Sequence, residues 1–254
     1  MKLNVVPART GLQWVKLGIR TFFRQPLALA GLFFLYMVSV ILVSQVPVLG
    51  VLIGGMLVPA ATLGLMAATA EAARGRFPMP SVLLSAFRAG RQRARAMLVL
   101  GAIYTAGSML ATALGALIAG RPGVADAGRM DVATLVALLL HTPLFLMFWH
   151  APALVHWHGV SPVKSLFFSA VAVLRNFGAH LVYGLGWLAV FLGATSLFGV
   201  LGALIGGSGA AQAVIMPAAL LLAAMFSASI YFTFRDSFTA DETPPATTTD
   251  AEPS

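Results

Sequence analysis

Residues 27–70 read LALAGLFFLYMVSVILVSQVPVLGVLIGGMLVPAATLGLMAATA, without one Asp, Glu, Lys, Arg or His. A helix needs about 20 consecutive apolar residues to cross a bilayer, so this stretch holds two crossings, from about Leu27 to Val46 and from about Val48 to Ala70. Pro47 and Gly50 supply the turn at their junction, and so short a connection makes a helical hairpin. Four further runs have the same character: Met97 to Ala119, Val132 to Leu154, Leu181 to Ile205 and Ala213 to Phe234, the last two separated by Gly206-Gly207-Ser208-Gly209. Backbone amides find no water in hydrocarbon, so a spanning segment is a helix or part of a closed barrel, and long apolar runs without alternation are helices. The expected fold class is all-α: a polytopic membrane bundle of six transmembrane helices.

The composition agrees. The chain is 59% hydrophobic and 9% charged, far below the roughly 25% charge of soluble domains. The lack of cysteine excludes a disulfide scaffold, thiolate metal sites and thiol catalysis. The N-terminal region reads as a retained signal anchor, because 26 residues precede the first apolar run and no small-x-small cleavage pattern closes it.

With six spans, one face of the membrane receives Lys2, Arg9, Lys16, Arg20, Arg24, Arg74, Arg76, Arg88, Arg91, Arg93, Arg95, Lys164, Arg175 and Arg235, which is 14 of the 16 basic residues. Arg121 and Arg129 fall on the other. The positive-inside rule then puts both termini in the cytoplasm. Residues 236–254 carry five acids, three prolines and five threonines but one aromatic residue, a composition expected to form a disordered acidic cytoplasmic tail after a membrane domain of residues 1–235.

An ungapped shift of 84 residues superposes Pro59, Gly75, Pro78, Ser81, Ser85 and Arg91 on Pro143, Gly159, Pro162, Ser165, Ser169 and Arg175. The shared pattern is a proline-containing span, a glycine exit, a Pro-x-x-Ser segment and an arginine before the next span. A weaker third copy opens the chain: Leu12, Val15, Ile19, Phe22 and Phe23 lie on one side of a helical wheel, opposite Gln13, Lys16, Arg20 and Arg24, as an interfacial amphipathic helix requires. The expected architecture is three hairpins, each preceded by a cytoplasmic interfacial helix, in a parallel repeat.

Trp14, Gly18, Phe22-Phe23 and Gln25-Pro26, with the Gly-x-x-Pro-x-x-Ser exits of spans two and four, resemble the opening and layout of a family of six-span bacterial inner-membrane proteins. More loosely, the layout is similar to the membrane domain fused to some glycerophosphodiester phosphodiesterases. The resemblance implies a fold and supplies no activity.

Ionisable residues inside a membrane are candidates for function. His141, followed by Thr142-Pro143, lies deep in span four; it reads either as a gate, proton-sensing group or polar ligand contact, or as a neutral histidine bonded to a neighbouring helix. His150, His156 and His158 spread around the wheel with no carboxylate near, so no metal site is expected. Arg88, Arg91 and Arg95 share a helical face opposite Leu83, Ala86 and Phe87, suited equally to anionic lipid headgroups and to setting topology. Gly50-x-x-x-Gly54, Ala60-x-x-x-Gly64, Ala111-x-x-x-Gly115 and Gly202-x-x-x-Gly206 permit close helix packing and admit a homo-oligomer or a membrane-protein partner. Glu71 is explained by a local pair with Arg74.

The acids before the tail, Glu71, Asp126 and Asp131, lie at span edges on different faces, and no phosphate-cradling glycine loop precedes a lysine. No catalytic residue, cofactor or nucleic-acid partner is therefore expected. The expected role is a non-catalytic membrane protein that binds lipid headgroups or a protein through its basic face; the alternative is a transporter or channel using a path between the proline-containing spans two, four and six. The topology is tested by reporter fusion: a reporter active only outside the cytoplasm should be silent after Ser254 and active within residues 120–130, and activity at Ser254 would overturn the orientation.

Overall fold

In the computed structural model, the described residues are 1–47, 49–120 and 132–239, excluding the side chains of 207–212. They form α1 (Thr10–Arg24), α2 (Pro26–Ser44), α3 (Leu49–Ala73), a 3-10 turn (Pro80–Leu84) continued by α4 (Ser85–Arg88), α5 (Arg91–Ala119), α6 (Val132–Phe148), α7 (Ala151–His158), α8 (Pro162–Arg175) and α9 (Phe177–Ser237). Two short strands, β1 (Lys2–Leu3) and β2 (Phe238–Thr239), pair antiparallel. Six segments are long and apolar enough to cross a membrane: Pro26–Ser44, Leu49–Ala73, Arg91–Ala119, Val132–His158, Phe177–Gly206 and Ala213–Ser237. These are spans one to six, and the chain is a helical membrane bundle.

The spans match the expected ones in number and order; span one ends two residues early, at Ser44, and spans two to six run past their expected ends or starts at one or more termini. Span three begins at Arg91 rather than Met97 because Arg, Gln and Ala are good helix formers. Successive spans touch. A Cβ on Gly50 of span two would collide with the Val43 carbonyl of span one, and Gly107 of span three sits on Leu144 of span four. Within α9 the halves lie side by side, with Tyr183 Oη 2.6 Å from Ser229 Oγ and Gly199 facing Ile215. Of the expected turn Gly206–Gly209, positions 207–209 carry no described side-chain placement.

Span four is not one helix. Trp149 and His150 separate α6 from α7, and Pro152 stands in the first turn of α7. Its ring has no N–H to give and would clash with the carbonyl four residues back. Pro59, Pro143 and Pro217 lie within helices.

The surface segments differ from the expected set of three amphipathic helices. α8 is one continuous helix, whereas its repeat partner is the 3-10 turn and the single turn of α4, ended by Gly90 at φ +97°. Leu174 occupies the matching position in α8 and lets that helix run on. Gly75 and Gly159 do correspond, with φ of +78° and +65°, the left-handed geometry that favours glycine after a helix end. α1 is packed more deeply than an interfacial helix. Trp14, Val15, Gly18 and Phe22 are buried, while Leu12 and Phe23 of the expected apolar face are exposed. Gly11 fits over the Ala179 carbonyl and Gly18 over Ser229, so small residues let α1 seat on α9 with Val15 and Phe22 of the predicted face inward and Leu12 and Phe23 outward.

The tail boundary also moves. Helix α9 continues to Ser237, and Phe238 is buried. Residues 236–239 are therefore structured, held by β1 and by a hydrogen bond from Trp14 Nε1 to Asp236 Oδ2 at 2.9 Å; the remaining expected tail, 240–254, and most of the loop 120–130 lie outside the described residues. Asn176, buried at the start of α9, accepts from Val6 N at 2.8 Å and donates to the Asn4 carbonyl at 3.0 Å. Both ends of the described chain thus meet at one end of the bundle.

Replacing Gly18 by Ala should lower stability by about 1–3 kcal/mol, because the new methyl meets the Ser229 backbone. Gly184, which has open space around it, should tolerate Ala or gain up to about 1 kcal/mol. Thermal unfolding of the two variants in detergent distinguishes the effects.

Candidate functional site

At the end of the bundle that holds the termini, the segment after span two carries the arginines singled out above. They do not share one helical face: Arg88 ends α4, Gly90 breaks the helix, and Arg91 opens α5. Arg91 and Arg95, four residues apart on α5, do share a face. Arg88, Arg91, Arg93 and Arg95 are all exposed, and none forms an ion pair among the described residues. Glu71 is engaged elsewhere, at 2.8 Å from Arg76 Nη2 and at 3.8 Å from Arg74, so its main partner is Arg76 rather than Arg74. A crevice of about 470 Å³ adjoins Arg88 and is lined by Glu71, Phe77, Ser81, Ser85 and His156. Nearby in sequence, the Leu83 backbone presses on Gly64 of span two, where no Cβ fits.

The break in span four is occupied by a buried polar knot. Ser169 of α8 is inserted into the broken helix ladder: it accepts from His150 N at 2.9 Å and donates to the Leu146 carbonyl at 2.9 Å. Thr233 of span six donates to the Ile230 carbonyl at 2.7 Å and accepts from Trp149 Nε1 at 3.0 Å. Its proton is thereby used, so the contact with His150 Nε2 at 3.1 Å is an N–H donated by histidine. The rings of Trp149, His180 and Tyr183 pack edge to face around it, and Ser229 joins Tyr183 to Trp187.

The repeat explains a contrast here. Ser85, the counterpart of Ser169, has a buried hydroxyl with no partner among the described residues, because α3 carries Ala68 where span four carries Pro152 and is unbroken. Asn176, His180, Ser229, Thr233 and Asp236 were not singled out by sequence. Their only signal there was a polar side chain within or beside an apolar run.

His141 lies elsewhere. Its Nδ1 is 2.8 Å from the Ala137 carbonyl of its own helix, not a neighbouring one. Thr142 likewise bonds the Leu138 carbonyl, at 2.9 Å, and is exposed. His141 lines a cavity of about 310 Å³ with Val58, Thr62, Tyr104, Phe145 and Trp149; Thr142 does not. Among the described residues, no three His, Asp or Glu side chains come together as metal ligands.

Six apolar helices, with both ends of the described chain at one end of the bundle, define a multi-pass membrane protein. Over 258 aligned positions the chain is 37% identical to a probable inner membrane protein of Burkholderia thailandensis, covering 95% of this chain and 96% of that one. It belongs to that family of inner-membrane proteins. No family model matches it, and no solved structure does.

Replacing Thr233 by Val removes the acceptor of two buried donors, and leaving each unpaired costs about 1–3 kcal/mol. Thr112, exposed and bonded only to its own helix, serves as the control. The Thr233→Val variant should unfold at a distinctly lower temperature, while Thr112→Val should melt near the wild type.

Proposed function

We propose that this protein acts without catalysis, its basic face holding anionic lipid headgroups of the cytoplasmic leaflet or the acidic surface of a protein partner. The observation that carries the reading is the set of four exposed guanidiniums, Arg88, Arg91, Arg93 and Arg95, none with a carboxylate partner among the described residues. Each basic residue near an anionic surface contributes about 1 kcal/mol. In this reading both termini are cytoplasmic, and the chain is three parallel units, each a surface segment followed by two spans; the matching left-handed glycines at 75 and 159 support the second point. Phosphodiester chemistry is no part of it.

One observation favours the transport alternative. Val58 and Thr62 of span two, His141 of span four and Ile230 of span six all line the same cavity, the three spans singled out for their prolines. Toward the termini that cavity meets Trp149, whose indole is tied into the buried knot, and this favours a closed binding site over a through path.

Changing Arg88, Arg91 and Arg95 together to Gln should weaken retention of anionic lipid by up to about 3 kcal/mol, roughly a hundredfold. The remaining basic residues keep the topology. Native mass spectrometry of the purified protein measures the retained lipid, and unchanged retention would leave the cluster with an orienting role alone.

A further inference from the structure

The geometry points to a second site, independent of the basic face: we propose that the cavity between spans two, three, four and six binds a membrane-dissolved alcohol or phenol, its hydroxyl held between Tyr104 and His141. At about 310 Å³ the space is at the lower end of the range of small-molecule sites, which pair an apolar wall with a few polar groups. The wall here is Val58, Leu144, Phe145, Phe148, Trp149 and Ile230.

Most polar atoms at its edge are already committed. Thr62 Oγ1 donates to the Val58 carbonyl at 2.9 Å, and Trp149 Nε1 donates to Thr233. Two groups remain. Tyr104 Oη has no hydrogen-bond partner among the described residues, and neither does Nε2 of His141. Because Nδ1 of His141 faces a carbonyl oxygen, Nδ1 carries the proton, and in the neutral ring Nε2 offers a lone pair.

The ligand must therefore donate to the imidazole, and it can accept from the phenol. A hydroxyl does both with one atom; a ketone, an ester or a plain hydrocarbon cannot donate. The route of entry sets the rest of the molecule. Phe145 belongs to the wall and is 56% exposed, and on a spanning helix the entry we propose is past this ring, for molecules that partition into hydrocarbon. Water in the cavity could meet the same two groups, and an acyl chain could fill the apolar part; the probes below separate these occupants.

The test uses the full chain in nanodiscs with isotope-labelled histidine and tyrosine, read by NMR. The probe is para-octylphenol, and the comparison is octylbenzene, the same body without the hydroxyl. The expected result is a saturable shift of the His141 Nε2 and Tyr104 ring signals with para-octylphenol. Octylbenzene should bind at least about tenfold more weakly, and Tyr104→Phe should weaken the phenol about fivefold, in line with one lost hydrogen bond. Thr142→Val, on the exposed side of the same helix, should change nothing. Equal binding of the two probes would overturn the proposal in favour of an acyl-chain groove. The absence of any saturable shift would do so in favour of a water-filled or closed cavity. Because the wild-type comparison of probes requires no substitution, a misfolded variant does not remove the test.

Discussion

The indole N–H of Trp14 is bonded to the carboxylate of Asp236 across 222 positions of sequence, and the packing of this end of the bundle depends on where that places α1. Trp14 is wholly buried and meets the rings of His180 and Tyr183 edge to face. α1 is thereby wedged against both halves of α9. Its last arginine reaches span two, with Arg24 Nη1 3.3 Å from the Ala73 carbonyl, a helix-end acceptor with no intrahelical partner. The pairing of β1 with β2 and the side chain of Asn176 fasten the residues before it. The indole of Trp14 and the amide of Asn176 are buried, so the donors they carry would be left unpaired without these partners, at a cost that keeps the bonds in place.

The helical membrane class and six spans were legible in the sequence because hydrocarbon imposes a length and a composition that no other environment demands. What escaped was set by contacts between distant segments. Leu12 and Phe23 look like core residues on a wheel, yet Gly11 and Gly18 decide which side of α1 docks. Asp236 reads as the first residue of an acidic tail until Trp14 is placed beside it. Pro152 appears to belong to an ordinary apolar run, and the helix break just before it is visible only once Ser169 is seen between His150 N and the Leu146 carbonyl. Close approaches fall partly at the small-residue motifs, as at Gly50 and Gly64, and partly away from them, as at Gly55 against Thr105 and Gly101 over the Met56 carbonyl.

The candidate sites divide in the same way. The arginines after span two can be picked out because charge next to a span is conspicuous, though a wheel drawn through residues 83–95 hides the break at Gly90 that separates Arg88 from Arg91. His141 was conspicuous for the opposite reason, as an ionisable group among apolar neighbours. Its significance changes with its surroundings: Tyr104 and Thr62 come from other spans, and no spacing rule brings residues 62, 104 and 141 together.

The seat of α1 has a consequence for biogenesis. At roughly 5–20 residues per second, the 222 residues between Trp14 and Asp236 take roughly ten to forty-five seconds to synthesise. Until residues 177–237 have been made, α1 exists without the full helix it finally packs on. Its Trp, Phe and Val side chains must be sheltered by the membrane surface, a task suited to its amphipathic pattern and its lysine and arginines. The first helix made is thus among the last to reach its place, and the bundle closes when the end of the sixth span arrives to receive it.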